Sequence, residues 1–424
     1  MKAIISNRVI MNKTPELVGR LREELTYKFP NPNFKGKPIS YCDIGFPRDD
    51  LISVPVARSN LIPKEYEVVD RRILAPATFP EFNAILRASQ QEIYDDVSDN
   101  CIINAKPGFG KTFTALAVVG KLAQKTLIIV HTVKLRDQWI EEIKKVFGIK
   151  AGIIGSGKFE TNPIIVVANV QTLVKRVPEV SNMFGTIVVD ECHHLPSTTF
   201  KNIIDKVRAR YKIGLSATLT RKDGKGILLK DYIGDKVYVP PKENTVDPVV
   251  IIRQTNIKIP GNHTQPWASR MNDVYRGANY LEEVTRMAMT QAKRGHIVLV
   301  LGERIEFLEK CDEVTPNSVV ITSKTKNQKE LEELVISGEL PIQYASRSMY
   351  SEGVSRNEYS CLIIASAINN EQLLEQMAGR INRINENGMK PELIDIAFAG
   401  ATGQKQLGTR LAFYRKEGWK IVYV

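Results

Sequence analysis

The stretch CIINAKPGFGKT, from Cys101 to Thr112, is followed at once by the helix-like run FTALAVVGKLAQK. A short apolar strand, a glycine loop and a helix thus occur in the order that phosphate-binding loops require. Gly108 and Gly110 would let the loop backbone curl so that its N–H groups point at a phosphate, and the helix dipole would add to the attraction. The alternative is a surface turn before a solvated lysine, but such a turn would not need the flanking strand and helix.

The polar residues at the end of this loop predict a site for the phosphates of a nucleotide and for Mg²⁺. Lys111 would reach the β- and γ-phosphates, and the hydroxyl of Thr112 would ligate Mg²⁺. Ala105 stands where the general motif has its first glycine. The loop alone leaves kinases, small GTPases and transporters open, so the reaction has to be inferred from the rest of the chain.

Two long stretches of the chain show the same pattern, in which short Ile/Val-rich runs alternate with helical segments. The predicted strands are CIINA, TLIIVHT, PIIVVANV, TIVVD and KIGLSAT, beginning at residues 101, 126, 163, 186 and 212, and HIVLVLG, SVVITS, PIQYAS, CLIIAS and LIDIAF, beginning at 296, 318, 341, 361 and 393. Such runs are typical of parallel strands buried on both faces, so the sequence predicts two α/β domains. Between them, VPPKENTVDP at residues 239–248 holds three prolines and predicts a linker.

Two acids follow the predicted strand TIVVD, at the edge of a parallel sheet where ligands bind. Asp190 would hold Mg²⁺ through its water shell, and Glu191 would polarise an attacking water. Two solvated turn acids are the alternative, which the upstream phosphate loop argues against. The adjacent His193 and His194 lack the i, i+4 spacing of helical metal ligands, and His193 is a candidate link between the nucleotide site and a nucleic-acid groove.

Composition sets limits on the partner and the compartment. The 424 residues carry a formal net charge of +12, which suggests a polyanionic partner such as nucleic acid, although a merely solvated basic surface would give the same value. The cysteines form no C-x-x-C pair, so neither a zinc site nor a disulfide framework is predicted. No apolar run approaches the roughly 18 residues of a membrane span, so we expect a soluble, cytoplasmic protein with no membrane partner.

Residues 1–80 differ in composition from the rest of the chain, because they are rich in Pro, Asn and isolated aromatics. This composition predicts a small accessory domain. Aromatic and basic residues interleave in it, as they would on a surface that stacks bases and contacts phosphates. The residues concerned are Phe34, Lys35, Lys37, Tyr41, Phe46 and Arg48. The alternative is a small core with solvated lysines. Residues 81–240 and 241–424 are expected to form the first and second α/β domains.

Four motifs together resemble the superfamily 2 helicases and occur in that family's order. They are the loop AKPGFGKT, the string DECH at 190–193, SATL at 216–219 and QMAGRINR at 376–383. The segments VHTVKLRDQWIEEIKKVFGI, from Val130, and SATLTRKDG are similar to XPB-type and phage UvsW-type members. The resemblance implies an α/β fold with two RecA-like parallel-sheet domains in tandem plus a small N-terminal α+β accessory domain.

The resemblance also assigns roles to residues outside the phosphate loop. In LRASQ, Arg87 and Gln90 would contact the adenine. In QMAGRINR, on a predicted helix, Gln376, Arg380 and Arg383 would belong to the catalytic group, with Arg383 as the arginine finger and Arg380 near the γ-phosphate. SMYSEGVS resembles the E-G-x-D element, with Gly353 retained in the nucleotide site and Ser355 where an acid is usual. Gln171, Thr172 and Thr322 would contact backbone phosphates of the nucleic acid.

The function expected from these features is an ATP-dependent DNA helicase or translocase, which hydrolyses ATP to ADP and phosphate. It would unwind or branch-migrate forks and junctions, single- or double-stranded, in replication, recombination or repair, in a bacterial or phage-infected cell. RNA is the nearest rival substrate, and a duplex-DNA translocase subunit of a restriction-type complex is a second rival. A non-hydrolysing clamp is a third, against which Lys111, Glu191, Arg380 and Arg383 argue. The oligomeric state is left open, and a monomer is compatible with the sequence.

Overall fold

The structure is a computed structural model that describes residues 1–31, 36–194, 198–219, 223–243, 245–262, 264–322, 324–347, 358–368, 370–382 and 388–424. Within those ranges the side chains of Thr198, Phe200 and Gln372 are not described. The chain divides into two compact units, Met1–Lys242 and Glu243–Val424. Among the described helices, none combines the length and the apolar character that crossing a bilayer requires.

The N-terminal part of the first unit is an accessory sheet with one helix. Its elements are β1 (Lys2–Ile5), β2 (Arg8–Asn12), α1 (Pro15–Leu25), β3 (Thr26–Phe29), β4 (Ile39–Cys42), β5 (Gly45–Arg48), β6 (Leu51–Pro55) and β7 (Glu67–Asp70). Five strands pair in the order β5-β6-β2-β1-β7, and β3 and β4 form a separate hairpin. Helix α1 buries Leu17, Leu21 and Leu25, one helical turn apart, in the core of this sheet, and the Thr14 side chain caps its first turn.

The rest of the first unit is a parallel α/β domain. Its helices are α2 (Ala88–Asp96), α3 (Lys111–Leu122), α4 (Val133–Phe147), α5 (Val170–Leu173), α6 (Val177–Val180), α7 (Thr198–Ile204) and α8 (Leu229–Tyr232). Its strands are β8 (Cys101–Asn104), β9 (Thr126–Val130), β10 (Gly152–Gly155), β11 (Lys158–Phe159), β12 (Ile165–Asn169), β13 (Thr186–Val189), β14 (Tyr211–Ser216) and β15 (Val237–Tyr238). They are ordered β11-β10-β12-β9-β13-β14-β8-β15, and a separate apolar cluster covers each face of the sheet.

The second unit is also built on a parallel sheet. Its strands are β16 (Val249–Lys258), β17 (Val298–Gly302), β18 (Ser318–Ile321), β19 (Ile342–Ser346), β20 (Cys361–Ala365), β21 (Glu392–Ala399) and β22 (Ile421–Tyr423), in the order β18-β19-β17-β20-β21-β16-β22. Its helices are α9 (Trp267–Arg276), α10 (Ala278–Lys293), α11 (Ile305–Glu313), α12 (Gln328–Ser337), α13 (Glu371–Ala378) and α14 (Gly400–Lys416). The ten strands that the sequence predicts all form, five in each parallel sheet.

The accessory sheet is fixed to the first α/β domain by a buried polar cluster around Asp43. The Asp43 carboxylate lies 3.1 Å from the guanidinium of Arg8 and 2.8 Å from the ammonium of Lys201, and the Tyr232 hydroxyl donates to it at 3.2 Å. The Lys201 ammonium also donates to the Tyr41 hydroxyl at 2.7 Å. Tyr41, a member of the predicted stacking surface, is half-buried, and its hydroxyl takes part in this internal contact.

The other members of the predicted stacking surface differ among themselves. Lys37, Phe46 and Arg48 are exposed, and the Lys13 ammonium lies 5.7 Å from the centre of the Phe46 ring. Phe34 and Lys35 lie outside the described residues.

Candidate functional site

The phosphate loop has the backbone that its glycines predict. Gly108 and Gly110 adopt φ values of +89° and +83°, in the left-handed region that favours glycine, and Gly110 is the N-cap of α3. The Lys111 ammonium donates to the carbonyl of Ala105 at 2.8 Å, so this side chain spans the loop from its last residue back to its first. Thr112 follows in the first turn of α3 and is half-buried.

Arg87 and Gln90 lie directly against this loop. The Gln90 amide donates to the carbonyl of Phe109 at 2.8 Å, and the Arg87 guanidinium donates to the same oxygen. A β-carbon at Gly110 would lie only 2.9 Å from Gln90 Nε2, so the side chain of Gln90 closes on the loop where a glycine leaves room. The two residues predicted to contact adenine are therefore placed beside the phosphate loop.

Asp190 comes directly after β13, and its carboxylate is held from two sides. The Trp139 indole N–H donates to Oδ2 at 2.9 Å, and the backbone N–H of Glu191 donates to Oδ1 at 2.9 Å. Burial raises the pKa of Asp190 to about 6, and the neighbouring charge of Glu191 acts in the same direction. Strands β13 and β8 both run parallel to β14, which lies between them, so Asp190 and the phosphate loop leave the same edge of the sheet.

Glu191 has a left-handed backbone, with φ of +48°, which turns the chain sharply as it leaves the sheet. Its Oε2 lies 3.2 Å from Nδ1 of His193. Burial on its own raises the pKa of Glu191, but the hydrogen bond from His193 and the positive charge of Lys111 outweigh it and lower the pKa. The pKa of Asp190 is thus raised and that of Glu191 lowered, so Glu191 is the more readily ionised of the two adjacent acids.

His193 connects the acids to the SATL segment. Its Nδ1 also lies 3.0 Å from the Ser216 hydroxyl, which in turn donates to the carbonyl of Thr218 at 2.6 Å. The ring of His194 packs between those of His193 and His131, with centres 4.1 and 4.2 Å away. Burial, with the charge of His193, lowers the pKa of His131 to about 4. Among the described residues, no group of three or more His, Cys, Asp or Glu side chains is arranged to hold a metal ion.

The arrangement fits a nucleotide that arrives with Mg²⁺ of its own. A buried carboxylate with a raised pKa is one that a nearby divalent cation would stabilise, and oxygen ligands suit Mg²⁺. Asp190 supplies such a carboxylate. Thr112 adds a hydroxyl at the start of α3, where the helix dipole and free N–H groups favour an anion.

The predicted nucleic-acid contacts lie in different surroundings. Gln171 is exposed and Thr172 half-buried on α5, which follows β12 at the same edge of the sheet as Asp190. Thr322, in the second unit, is 5% exposed, and its hydroxyl accepts from the backbone N–H of Lys324 at 3.3 Å. Its side chain therefore closes a turn after β18.

The helix predicted for QMAGRINR is shorter than expected. Gln376 lies on α13, which ends at Ala378, and Gly379 is the C-cap. Arg380 is half-buried in the turn that follows, where its N–H donates to the carbonyl of Met377 at 3.0 Å. Glycine has a low helix propensity, so Gly379 favours an end at this position without enforcing it. Arg383 and Gly353, like Ser355, lie outside the described residues.

Sequence reasoning missed two buried contacts close to this site. Trp139 bonds Asp190, and Arg136 on the same helix donates to the Asn169 side chain at 3.2 Å. The sequence places Trp139 in a segment that resembles XPB-type helicases, but nothing local to it points to Asp190.

The chain is similar to several known proteins. The family model described as "Type III restriction enzyme, res subunit" matches residues 81–221. The chain is 40% identical to "Probable helicase D10" of Escherichia phage T5, over 100% of this chain and 96% of that protein. It is 37% identical to "DNA 3'-5' translocase XPB2" of Sulfurisphaera tokodaii, over 32% of this chain and 31% of that protein.

A likeness among solved structures confirms the predicted fold class. The structure of S. cerevisiae Dbp5 bound to RNA and ADP BeF3 matches with a TM-score of 0.58 and 13% identity, over 80% of this chain and 89% of that one.

Proposed function

Since this chain belongs to the superfamily 2 helicases and is a nucleic-acid-dependent ATPase of that family, we propose that it unwinds or branch-migrates forked and junction DNA. The family follows from the full-length match to the phage T5 helicase. DNA as the substrate is supported by the XPB2 translocase, whose matching segment is 137 residues long. We place this activity in the cytoplasm of a bacterial or phage-infected cell, as the phage relative supports.

The observation that carries the ATPase part is the convergence of the phosphate loop with Asp190 and Glu191 at one sheet edge. In our proposal Lys111 leaves the Ala105 carbonyl for the β- and γ-phosphates, and Thr112 and Asp190 hold the Mg²⁺ that accompanies ATP. That ion would neutralise charge on the phosphate oxygens. Arg87 and Gln90 would bind the adenine.

Glu191 is proposed as the residue that orients the attacking water and accepts its proton. Its lowered pKa keeps the carboxylate ionised near neutral pH, as that role requires. Gln376, Arg380 and Arg383 are proposed as the partners of the γ-phosphate, with Gly353 in the same nucleotide site. Guanidinium groups suit this because they stay charged and present a fixed fork of donors to phosphate oxygens.

Gln171, Thr172 and Thr322 are proposed to contact the backbone of the nucleic acid. The exposure of Gln171 supports this role. Thr322 is buried, so its contribution would come through the shape of the turn that it closes or through its backbone. Backbone contacts carry no base sequence, which suits a motor that moves along DNA.

The test is steady-state ATPase activity with no nucleic acid, single-stranded DNA, duplex, a four-way junction, a fork and RNA. We expect the junction and the fork to stimulate most, and Lys111→Ala to abolish activity with every one. Stimulation by RNA alone would reassign the function to RNA unwinding. No stimulation by any of them would refute a nucleic-acid motor.

A second candidate, a duplex-DNA translocase subunit of a restriction-type complex, is favoured by the description of the matching family model. It predicts the strongest ATPase stimulation by plain duplex, without strand separation. A strand-displacement assay on forked DNA distinguishes the two, because only the helicase releases a single strand.

A further inference from the structure

One buried face of α4 contacts two different parts of the first α/β domain. Arg136 and Trp139 lie three residues apart on this helix and are 7% and 1% exposed. Residues at this spacing share a helix face, about 4.5 Å apart along the axis. Trp139 donates to Asp190 at 2.9 Å, and Arg136 donates to Asn169 at 3.2 Å. A single rigid element therefore bonds both the ATP-site acid and the end of β12.

The side chain of Asn169, at one end of this connection, is closely surrounded by Arg136 and Gly155. Asn169 ends β12 and directly precedes α5, yet its side chain makes no capping bond to that helix and accepts from Arg136 instead. The same guanidinium nitrogen donates to the Ser156 hydroxyl at 2.8 Å. A β-carbon at Gly155 would lie 2.4 Å from Asn169 Oδ1 and 3.3 Å from Arg136 Nη1, so only glycine fits beside this pair.

The Asp190 end is equally constrained. Each of its carboxylate oxygens accepts a hydrogen bond, one from Trp139 and the other from the backbone of Glu191. A buried carboxylate has no water to replace a lost donor, so its orientation follows the indole. A small shift or tilt of α4 would therefore change where Oδ2 points.

We propose that α4 couples nucleic-acid binding at α5 to the ATP site, with Arg136 and Trp139 as positioning residues at its two connections. Contacts of Gln171 and Thr172 with DNA would shift the end of β12, where Asn169 lies. The bond from Arg136 would transmit this shift to α4, and the bond from Trp139 would transmit it to the Asp190 carboxylate. The inference rests on the proposed function, because it uses the DNA role of α5 and the Mg²⁺ role of Asp190.

A purely structural role for the same side chains makes a different prediction. Trp139 fills core volume, so a variant that disturbs only packing would lower the free energy of unfolding. It would leave unchanged the effect of bound nucleotide on the affinity for DNA. Coupling is reciprocal and is measured as a ratio of affinities, which packing alone does not move. The ratio is the dissociation constant of DNA without nucleotide divided by that with a bound ATP analogue.

The experiment measures the anisotropy of a fluorescein-labelled forked DNA, with and without a non-hydrolysable ATP analogue and Mg²⁺. Trp139→Phe keeps an aromatic ring without the N–H, Asn169→Ala removes the acceptor, and Asn169→Asp keeps it. Trp419→Phe is the matched control, because its indole also donates to a carboxylate, Asp247, at 3.2 Å in the second unit.

We expect a wild-type affinity ratio between about 5-fold and 150-fold, the usual range of coupling. Trp139→Phe and Asn169→Ala should bring it to within about twofold of unity, whereas Asn169→Asp and Trp419→Phe should retain it. A wild-type ratio in the first two variants would overturn the coupling role and leave the proposed function standing. Loss of nucleotide-free DNA binding in them would also overturn it, in favour of a direct DNA contact. A wild-type protein that shows no coupling would overturn the role proposed for α4, whereas the proposed function would be overturned only if nucleic acid also failed to stimulate ATP hydrolysis.

Discussion

Lys111 and Glu191 lie in the same site, but replacing each of them should impair a different step. Lys111→Ala removes the charge that is proposed to contact the phosphates, so we expect ATP binding and hydrolysis to be lost together. Glu191→Gln keeps the shape of the side chain, so ATP should still bind while turnover falls by roughly 10² to 10⁴, the usual contribution of a general base. Calorimetric ATP binding beside steady-state turnover separates the two. A Glu191→Gln protein with wild-type turnover would remove Glu191 from catalysis.

Arg380 and Arg383 are predicted to act on hydrolysis more than on ATP affinity. Arg380→Ala and Arg383→Ala should each lower turnover by roughly 10³ to 10⁵, as losing an arginine finger does in phosphate-loop enzymes. Arg380→Lys keeps the charge without the planar fork and should recover only a small part of the rate. Single-turnover hydrolysis at saturating ATP is the measurement. If the Arg383 variant hydrolysed ATP at a near wild-type rate, Arg383 could not be the finger.

At the scale of single elements, strand β14 carries a buried lysine that should make the first unit less stable near neutral pH. Lys212 is 2% exposed, and its ammonium donates to the carbonyl of Ile204 at 3.3 Å. Burial lowers its pKa to about 8, although the charge of Asp205 acts in the opposite direction. The folded state therefore binds this proton less tightly than the unfolded chain, and stability is lost as the pH falls from the unfolded pKa toward about 8.

Lys212→Met should consequently stabilise the first unit, and more so near neutral pH than in alkali. The shift corresponds to about 3 kcal/mol near pH 7 and under about 1 kcal/mol near pH 10. Urea unfolding followed by Trp139 fluorescence, with Trp267 and Trp419 replaced by Phe, reports on this unit. Lys206→Met is the control, since Lys206 is exposed and its change should stay within about 0.5 kcal/mol at both values. An equal gain at both pH values would contradict the assignment.

The elements also show what the sequence can and cannot predict. Ile/Val runs predict the central strands correctly because a strand buried on both faces needs apolar residues at successive positions. Strand β16 is not among the predicted strands, although it begins with the Ile/Val run of residues 249–252 and continues with alternately exposed and partly buried positions. The helix over QMAGRINR is predicted too long, because local spacing does not show that the chain leaves the helix at Gly379.

Contacts between residues that lie far apart in the chain are even harder to predict from the sequence. The bond from Trp139 to Asp190 joins positions 51 apart, and Tyr41 meets Lys201 across 160 positions. Both depend on how elements pack, which residue spacing within one segment does not encode. The motif residues are different: Gly108, Gly110 and Lys111 are predictable because the loop's backbone and chemistry are local.

At the scale of the whole molecule, the accessory sheet belongs to the same compact unit as the first α/β domain. Its polar contacts reach α7 and α8, through Lys201 and Tyr232. In the chain, α7 comes after the DECH segment and α8 after the SATL segment, so the accessory sheet is anchored to elements that follow two helicase motifs.

The net charge of +12 makes a prediction for the complete chain. If DNA is held mainly through its phosphates, its affinity should fall steeply with salt, because each neutralised phosphate releases counterions. With 6 to 10 phosphate contacts the loss would be roughly 10³ to 10⁵ between about 50 and 200 mM salt, and two unrelated sequences of the same branched shape should behave alike. Fluorescence anisotropy over this salt range is the measurement, with binding of the ATP analogue as the comparison, since its contacts are local and should weaken far less. An affinity for DNA that hardly changed with salt would mean that the charge of the chain is not what holds the substrate.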